Sequence, residues 1–229
     1  MELWLLRHCT SIGNENGTLQ GQHPHDPGLS EKGLKQAERI AQFLKKKPIK
    51  EVWTSPLKRA LQLATVISIE HEPGLVLVLA PELMEISHGQ AEGLGLDELK
   101  KRFPGGWKKW ERLVTREPLF PGGESILQAQ NRILRALWFV TTTVTKFIIN
   151  PIQENKKVVV VSHGTAIRLA LSQILNIPIK DALSIPLDNG SISILGIAED
   201  GETLFAKEIN KTDHLGDLKF TPREDKFMP

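Results

Sequence analysis

Residues 3–14 read LWLLRHCTSIGN, and the fold turns on how that stretch is read. The unbroken apolar run predicts a short buried strand over residues 3–6, and the abrupt change to Arg7-His8 followed by small and turn-forming residues predicts its end. In open α/β sheets the carboxyl ends of the strands are where ligands bind. His8, delivered to such an end beside a cation, is a candidate nucleophile or a candidate general acid or base.

The arrangement recurs far along the chain. Residues 157–162 read KVVVVS and run into His163-Gly164, which predicts a second buried strand ending in a histidine, with a helix directly after it over 165–175. Between the two, residues 9–30 are rich in Gly, Asn, His and Pro and predict a long loop. Ser30, Gly33 and the periodic apolar positions Leu34, Ala37, Ile40, Ala41 and Leu44 predict a capped helix that ends before Pro48. A brief strand follows over 51–54. Ser55-Pro56 then predicts a helix through Ile69, with serine as its cap and proline in its first turn. A third strand is predicted over 76–79, a short helix over 96–103, a tryptophan-containing segment around Trp107 and Trp110, and the longest helix over 124–147. Residues 191–197 and 203–209 predict a late hairpin around Glu199-Asp200-Gly201. Strands alternating with helices imply an α/β fold of three layers, a mostly parallel sheet with helices on both faces. One domain over residues 1–229 is expected, with 81–121 as a cap-like insertion over the site.

Composition narrows the function. The 229 residues suffice for a sizeable core. With 29 basic against 27 acidic residues the net charge is +2, so no overall field draws the chain to nucleic acid or to a membrane, and any anion site must be local. No apolar stretch approaches the roughly 20 residues that span a bilayer, and the first residues lack the basic region and cleavage site of a signal peptide. The single cysteine, Cys9, forms no internal disulfide, which fits a reducing compartment. A cytoplasmic protein is expected.

Three strand ends converge on one edge of a parallel sheet. His8 and His163 emerge there, and Arg59, in the first turn of the helix after the second strand, faces the same edge. With Arg7 they make an anion pocket, to which helix N-termini add unpaired N–H donors, and the compact anion that fits is a phosphoryl group. Glu82 and Glu85 lie just past the third strand and meet that edge as well. His23 and His25 sit in a proline-containing loop without acidic or cysteine partners at ligand spacing, so they read as loop residues and not as a metal site.

In these residues the sequence resembles the histidine phosphatase superfamily, the phosphoglycerate mutase-like fold. The family's Arg-His-Gly-x-Thr with a following Asn is similar to Arg7-His8-Cys9-Thr10-Ser11 with Asn14. Gln20-Gly21, Asp26-Pro27, Leu29-Ser30, Gly33 and Gln36-Ala37 resemble its next block, and Ser55-Pro56-Leu57 with Arg59-Ala60 its second arginine motif. Glu85 with Gly89 and Glu92-Gly93 resembles the acid motif. Gly122-Gly123-Glu124-Ser125 and Ser162-His163-Gly164 supply two more, so the likeness covers almost the whole chain in order. One departure stands out. Cys9 occupies the place of the usual glycine and adds a side chain where the backbone is expected to approach the phosphate, whereas Ser11 in place of threonine keeps the hydroxyl.

The resemblance implies that His8 attacks phosphorus to give a phosphohistidine while Arg7, Arg59 and His163 hold the peripheral oxygens. Glu85 then protonates the leaving alkoxide and later activates water. Flanking arginines favour the neutral, nucleophilic imidazole of His8, and its other ring nitrogen is expected to donate to a backbone carbonyl. No metal or other cofactor is required, because arginines supply the charge. Ser11, Asn14, Gln20, Gly21 and Gly164 are expected to line the phosphate site, with His88 and His214 either reaching a substrate carboxylate or ordering their loops.

Glycolytic mutases of the family carry a longer, tyrosine-containing insertion after the acid, and this chain has no tyrosine. A phosphatase of small phosphomonoesters is therefore expected, with phosphoserine as first candidate, because Glu85-Ile86-x-His88-Gly89 and Asn210-x-Thr212-x-His214-Leu215-Gly216 are similar to metal-independent phosphoserine phosphatases. A phosphoglycerate mutase, a catalytically weak phosphate- or phosphoprotein-binding module, and a metal-dependent phosphatase using His23 and His25 are the alternatives. A homodimer is an admissible assembly.

Overall fold

A computed structural model describes residues 1–71, 74–112, 116–146 and 157–219. Four parallel strands run from one edge of the sheet to its middle: β1 (Glu2–Arg7), β2 (Ile49–Thr54), β3 (Val76–Leu79) and β4 (Lys157–Ser162). The hairpin of β5 (Ile192–Ile197) and β6 (Leu204–Lys211) extends it, giving the order β3-β2-β4-β1-β5-β6 with β5 antiparallel to both neighbours. β4 lies at the centre with Val158, Val159, Val160 and Val161 all fully buried. That is why it reads as a continuous apolar run, since a strand covered on both faces has no polar side to show.

Helices cover the two faces. On one, α2 (Glu31–Leu44) and α3 (Lys58–Glu70) bury Ile40, Leu44, Leu63 and Ile67 against Leu6, Val52, Val159 and Val161. On the other, α6 (Ile126–Lys146) and α7 (Gly164–Ile174) bury Ile133, Leu137, Ile167 and Leu171 against Leu3, Leu5, Val158 and Val160. The sequence places the end of α6 at Phe147, which lies outside the described residues. The chain winds along one face from β1 to β3 and crosses to the other with α6 before β4 inserts beside β1. The crevice at the carboxyl ends of β1 and β4 is thus where the winding reverses, the usual ligand position in such sheets.

Residues 81–121 build a third, smaller core. The short helices α4 (Leu96–Arg102) and α5 (Pro104–Glu111) pack Leu99 and Trp110 with Phe120, Ile86 and Leu19 above the amino-terminal part of α6. Three local readings need correction. The loop expected over 9–30 contains a one-turn helix, α1 (Ile12–Asn16), held by a reciprocal capping box between Ser11 and Asn14. The tryptophan segment is helical. Ser55 does not cap α3: the capping position falls on Leu57, whose side chain has no acceptor, and the Ser55 hydroxyl instead accepts from the Leu57 N–H and meets His163. Among the described residues no helix is long and apolar enough to cross a membrane.

Candidate active site

His8, Arg59 and His163 each follow a strand end, and the backbone ties those ends together. The His8 N–H donates to Ser162 O at 3.0 Å and the Ser55 N–H to Val161 O at 3.0 Å, so the ladder continues one residue past each strand. His8 is buried, and its Nδ1 lies 2.7 Å from Cys9 O. A carbonyl accepts only from an N–H, which fixes the proton on Nδ1 and leaves the lone pair on Nε2. Arg59 Nε donates to that lone pair at 3.3 Å. Burial first, then the charges of Arg59 and Arg7, hold the His8 pKa well below the ordinary histidine value, against a smaller opposing effect of the Cys9 carbonyl.

Arg59 is fully buried and anchored on three sides. Its Nη1 pairs with Asp26 Oδ2 at 2.8 Å, its Nη2 donates to Gly21 O at 2.8 Å, and its backbone N–H reaches the same Asp26 oxygen at 3.3 Å. Asp26 was not singled out as a site residue from the sequence; the only signal for it was its place in Asp26-Pro27. Arg7 donates through Nη1 to Leu187 O at 2.6 Å, and Arg168, from α7, donates through Nη2 to the same carbonyl at 3.2 Å. Gly164 separates these two guanidiniums: a Cβ there would stand 3.2 Å from both.

His163 is fully buried with its ring centroid 5.2 Å from that of His8. Its Nε2 lies 2.7 Å from Ser55 Oγ, and Nδ1 has no hydrogen-bond partner among the described residues. Burial and then the charge of Arg59 hold its pKa well below the ordinary value too. Glu85 reaches across from the segment after β3 to the start of α7. Its Oε2 accepts from the Thr165 N–H at 3.0 Å, and its Oε1 from Ala166 and Ile86, both at 2.9 Å. It supplies the carboxylate cap that α7 lacks from its own capping residue, His163.

Arg7, His8, Arg59 and Glu85 face one cavity of about 80 Å³, while the fully buried His163 is not on its wall. Arg7, His8, Asn14, Gln20, Gly21, Arg59, Glu85, His88 and Gly164 line it, joined by Thr18, Leu19, Trp110, Thr165 and Arg168, which the sequence reading did not assign. Ser11 stands behind the wall, where its hydroxyl lies 2.7 Å from Asn14 Oδ1 and 2.9 Å from Gln20 Oε1. His88 is on the wall but neutral: burial pushes its pKa down to about 3, and its ring meets Trp110 and Phe120 edge-on. A carboxylate would find a neutral ring there and not a cation.

His214 is not on the cavity wall. Its Nε2 lies 2.9 Å from Gly190 O and its ring stacks on Phe43, so it braces the turn whose Asn189 amide reaches His8 O, Cys9 O and Asn14 Oδ1. The Cys9 side chain also points away from the cavity, into the core with Leu6, Leu29 and Ile40. Only its carbonyl serves the site, so the side chain expected to crowd a phosphate does not. His23 and His25 contact each other in their loop, and the described residues hold no cluster of three or more potential metal ligands.

Comparison with known proteins gives the family and relatives of this chain. The model of the histidine phosphatase superfamily (branch 1) matches residues 3–210. The chain is 31% identical over 221 residues to phosphoserine phosphatase 1 of Hydrogenobacter thermophilus, covering 95% of this chain and 96% of that one. It is 31% identical over 193 residues to a probable phosphoglycerate mutase of Erwinia tasmaniensis, covering 84% and 83%. A phosphoserine phosphatase of Entamoeba histolytica, solved with phosphoserine, superposes with a TM-score of 0.75 at 26% identity, covering 93% of this chain and 98% of that one.

Proposed function

The chain belongs to the histidine phosphatase superfamily, branch 1, and from that membership we propose that it hydrolyses small phosphomonoesters through a phosphohistidine formed on His8. The observation that carries this reading is the state of His8: buried, neutral, with its Nδ1–H on Cys9 O, its Nε2 lone pair on Arg59 and the charge of Arg7 nearby. An imidazole so held is a nucleophile, and arginines beside it stabilise the charge on a transferring phosphoryl group.

In the first step Nε2 attacks phosphorus and the ester P–O bond breaks. Arg59 exchanges its contact with Nε2 for a phosphoryl oxygen, Arg7 takes a second, and His163 the third. The Leu57 N–H donates to Ser55 Oγ at 3.2 Å, which directs the serine O–H toward His163 Nε2 and assigns the other ring proton to Nδ1, the unpartnered atom. Asn14, whose Oδ1 is occupied, adds its amide nitrogen as a donor. The leaving alkoxide takes its proton from Glu85 Oε2, which accepts one backbone N–H where Oε1 accepts two. In the second step Glu85 removes a proton from water, the water oxygen bonds to phosphorus, the N–P bond breaks and phosphate leaves. All the charge needed comes from side chains, so no metal is invoked.

Phosphoserine is the first candidate substrate, supported by the two phosphoserine phosphatases named above. His88 and Trp110, carried by the 81–121 cap, contact the part of the substrate beyond the phosphate. The cytoplasm is the compartment that suits this chemistry and the reduced Cys9.

The test is phosphate release from phosphoserine and p-nitrophenyl phosphate in EDTA. Wild-type turnover is expected with none from His8→Ala, and an acid-labile, alkali-stable phosphoenzyme should be trapped on His8. Glu85→Gln should bind phosphate as before and slow hydrolysis of the alkyl ester by roughly 100- to 10,000-fold. Turnover by His8→Ala, or loss of wild-type activity in EDTA, overturns the reading. Conversion of 3-phosphoglycerate to 2-phosphoglycerate in place of phosphate release makes the protein a mutase.

A further inference from the structure

Arg132 on α6 lies outside the cavity, yet its guanidinium is fully committed to the segment that carries Glu85. Nη1 donates to Glu82 O at 2.6 Å and Met84 O at 3.0 Å, and Nη2 to Glu85 O at 3.2 Å. The remaining two N–H groups form a fork on Glu124, Nε to Oε1 and Nη2 to Oε2, both at 2.8 Å. A guanidinium has five N–H donors in one plane, and here each has its own acceptor. Glu124 returns to the same segment: its Oε2 accepts from the Ser87 N–H at 2.9 Å, and its own N–H donates to Ser87 O at 2.9 Å. Gln22 adds a second donor to Glu85 O at 2.8 Å.

We propose that Arg132, locked by Glu124, is a positioning residue for Glu85, fixing the backbone on which the proton donor is mounted. The proposal rests on the reading of Glu85 as the general acid. No regular element carries residues 84–88: a 3-10 turn over Pro81–Leu83 precedes them and another over Gly89–Ala91 follows. With no helix or strand to fix the main chain there, the carbonyls of Met84 and Glu85 depend on side chains from elsewhere, Arg132 for both and Gln22 for Glu85. The Arg132 fork sets them from α6, while the amides of α7 hold the carboxylate. Glu85 is thereby fixed at both ends relative to the histidines. An error of about 1 Å in such a group costs on the order of 100-fold in rate.

A purely structural role and a positioning role differ in how the loss depends on the leaving group. Proton donation matters when the departing oxygen is strongly basic, as in serine, and hardly at all when it is a dinitrophenolate. The experiment measures kcat/KM, which reports transfer to His8 alone, on phosphoserine, phenyl phosphate, p-nitrophenyl phosphate and 2,4-dinitrophenyl phosphate. The enzymes are wild type, Glu85→Gln, Arg132→Lys and Glu124→Gln, each with its melting temperature and its inhibition constant for inorganic phosphate. Lysine keeps the charge and loses the five-donor plane, so Arg132→Lys isolates geometry.

Arg132→Lys is expected to lose roughly 10- to 100-fold on phosphoserine and less than about 3-fold on 2,4-dinitrophenyl phosphate, with phosphate inhibition within about 2-fold of wild type. Glu124→Gln should move the same way by a smaller factor, which keeps the test open should the lysine variant fold poorly. If Glu85→Gln shows the leaving-group dependence and Arg132→Lys and Glu124→Gln lose activity evenly across the series, the proposal is overturned and the acid assignment stands. If Glu85→Gln itself loses evenly, the acid assignment fails and the proposal with it.

Discussion

Cys9 follows the nucleophile directly, and its thiol faces the opposite way. It is fully buried among Leu6, Leu29, Ala37 and Ile40, and burial pushes its pKa up. The nucleophilic form of a thiol is the thiolate, so both access and ionisation protect it. Labelling by a disulfide reagent is therefore expected only through opening of the fold, at least about 1,000-fold slower than in urea. Stoichiometric labelling of the native protein within minutes would show instead that the thiol reaches solvent or the cavity. The residues to which the sequence assigns no role are of one physical kind, although two of them, Asp26 and Glu124, stand in its motifs. Asp26 on Arg59, Glu124 on Arg132 and Arg168 on Leu187 O are partners across 33, 8 and 19 residues of chain, and no local spacing announces a contact that only the tertiary fold creates.

Helix α2 fixes the turn that holds His8. Ser30 caps it by accepting from the Gly33 N–H, and Gly33 presses on the Thr10 carbonyl so closely that a Cβ would overlap that oxygen. Glycine is needed there for approach, not for φ. Gly33→Ala must push α2 away from residues 9–11, and Cys9 O, the partner of His8 Nδ1, moves with them. A loss of about 1–3 kcal/mol is expected in urea unfolding, with a fall in kcat at saturating phosphoserine; an alanine variant of wild-type stability and kcat would refute the contact. Elements with a strong internal pattern were legible in the sequence: β1 and β4 as apolar runs with abrupt polar ends, α2 by its periodicity and cap. α1 was hidden because a single turn rests on a capping box with asparagine at the position usually held by Glu or Gln. α5 was hidden because it opens Pro104-Gly105-Gly106, which reads as a turn. Its second glycine is required by packing, since a Cβ at Gly106 would stand 2.5 Å from the Phe120 ring. The Ser55 cap failed because the serine meets His163, 108 residues away.

The whole molecule carries the cost of keeping its site neutral. His8, His88 and His163 are buried, and burial lowers the pKa of each, to about 3 for His88. In the unfolded chain the same imidazoles titrate at about 6.5. As pH falls below that value the unfolded state takes up protons the folded state refuses, so stability is full above the unfolded pKa and declines toward each folded pKa. Between about pH 7.5 and about pH 5.5 each histidine removes about 1.4 kcal/mol, and the three together about 4 kcal/mol. Glu2, which burial would raise but its bonds to Trp4 and Lys207 lower to about 2, keeps its full stabilisation above the ordinary carboxylate range and loses it only as pH falls below that range, which leaves this window to the histidines. Urea unfolding at the two pH values should show that decline, to which His214 adds because burial lowers its pKa as well, and His88→Asn should reduce it by about 1.4 kcal/mol. The nucleophile follows the opposite course: because folded His8 stays unprotonated, turnover should persist in the acidic range where the fold is already weakening. Stability that is level across the window would mean that these histidines take up protons in the folded state, and the neutral nucleophile on which phosphoryl transfer depends would be lost with it.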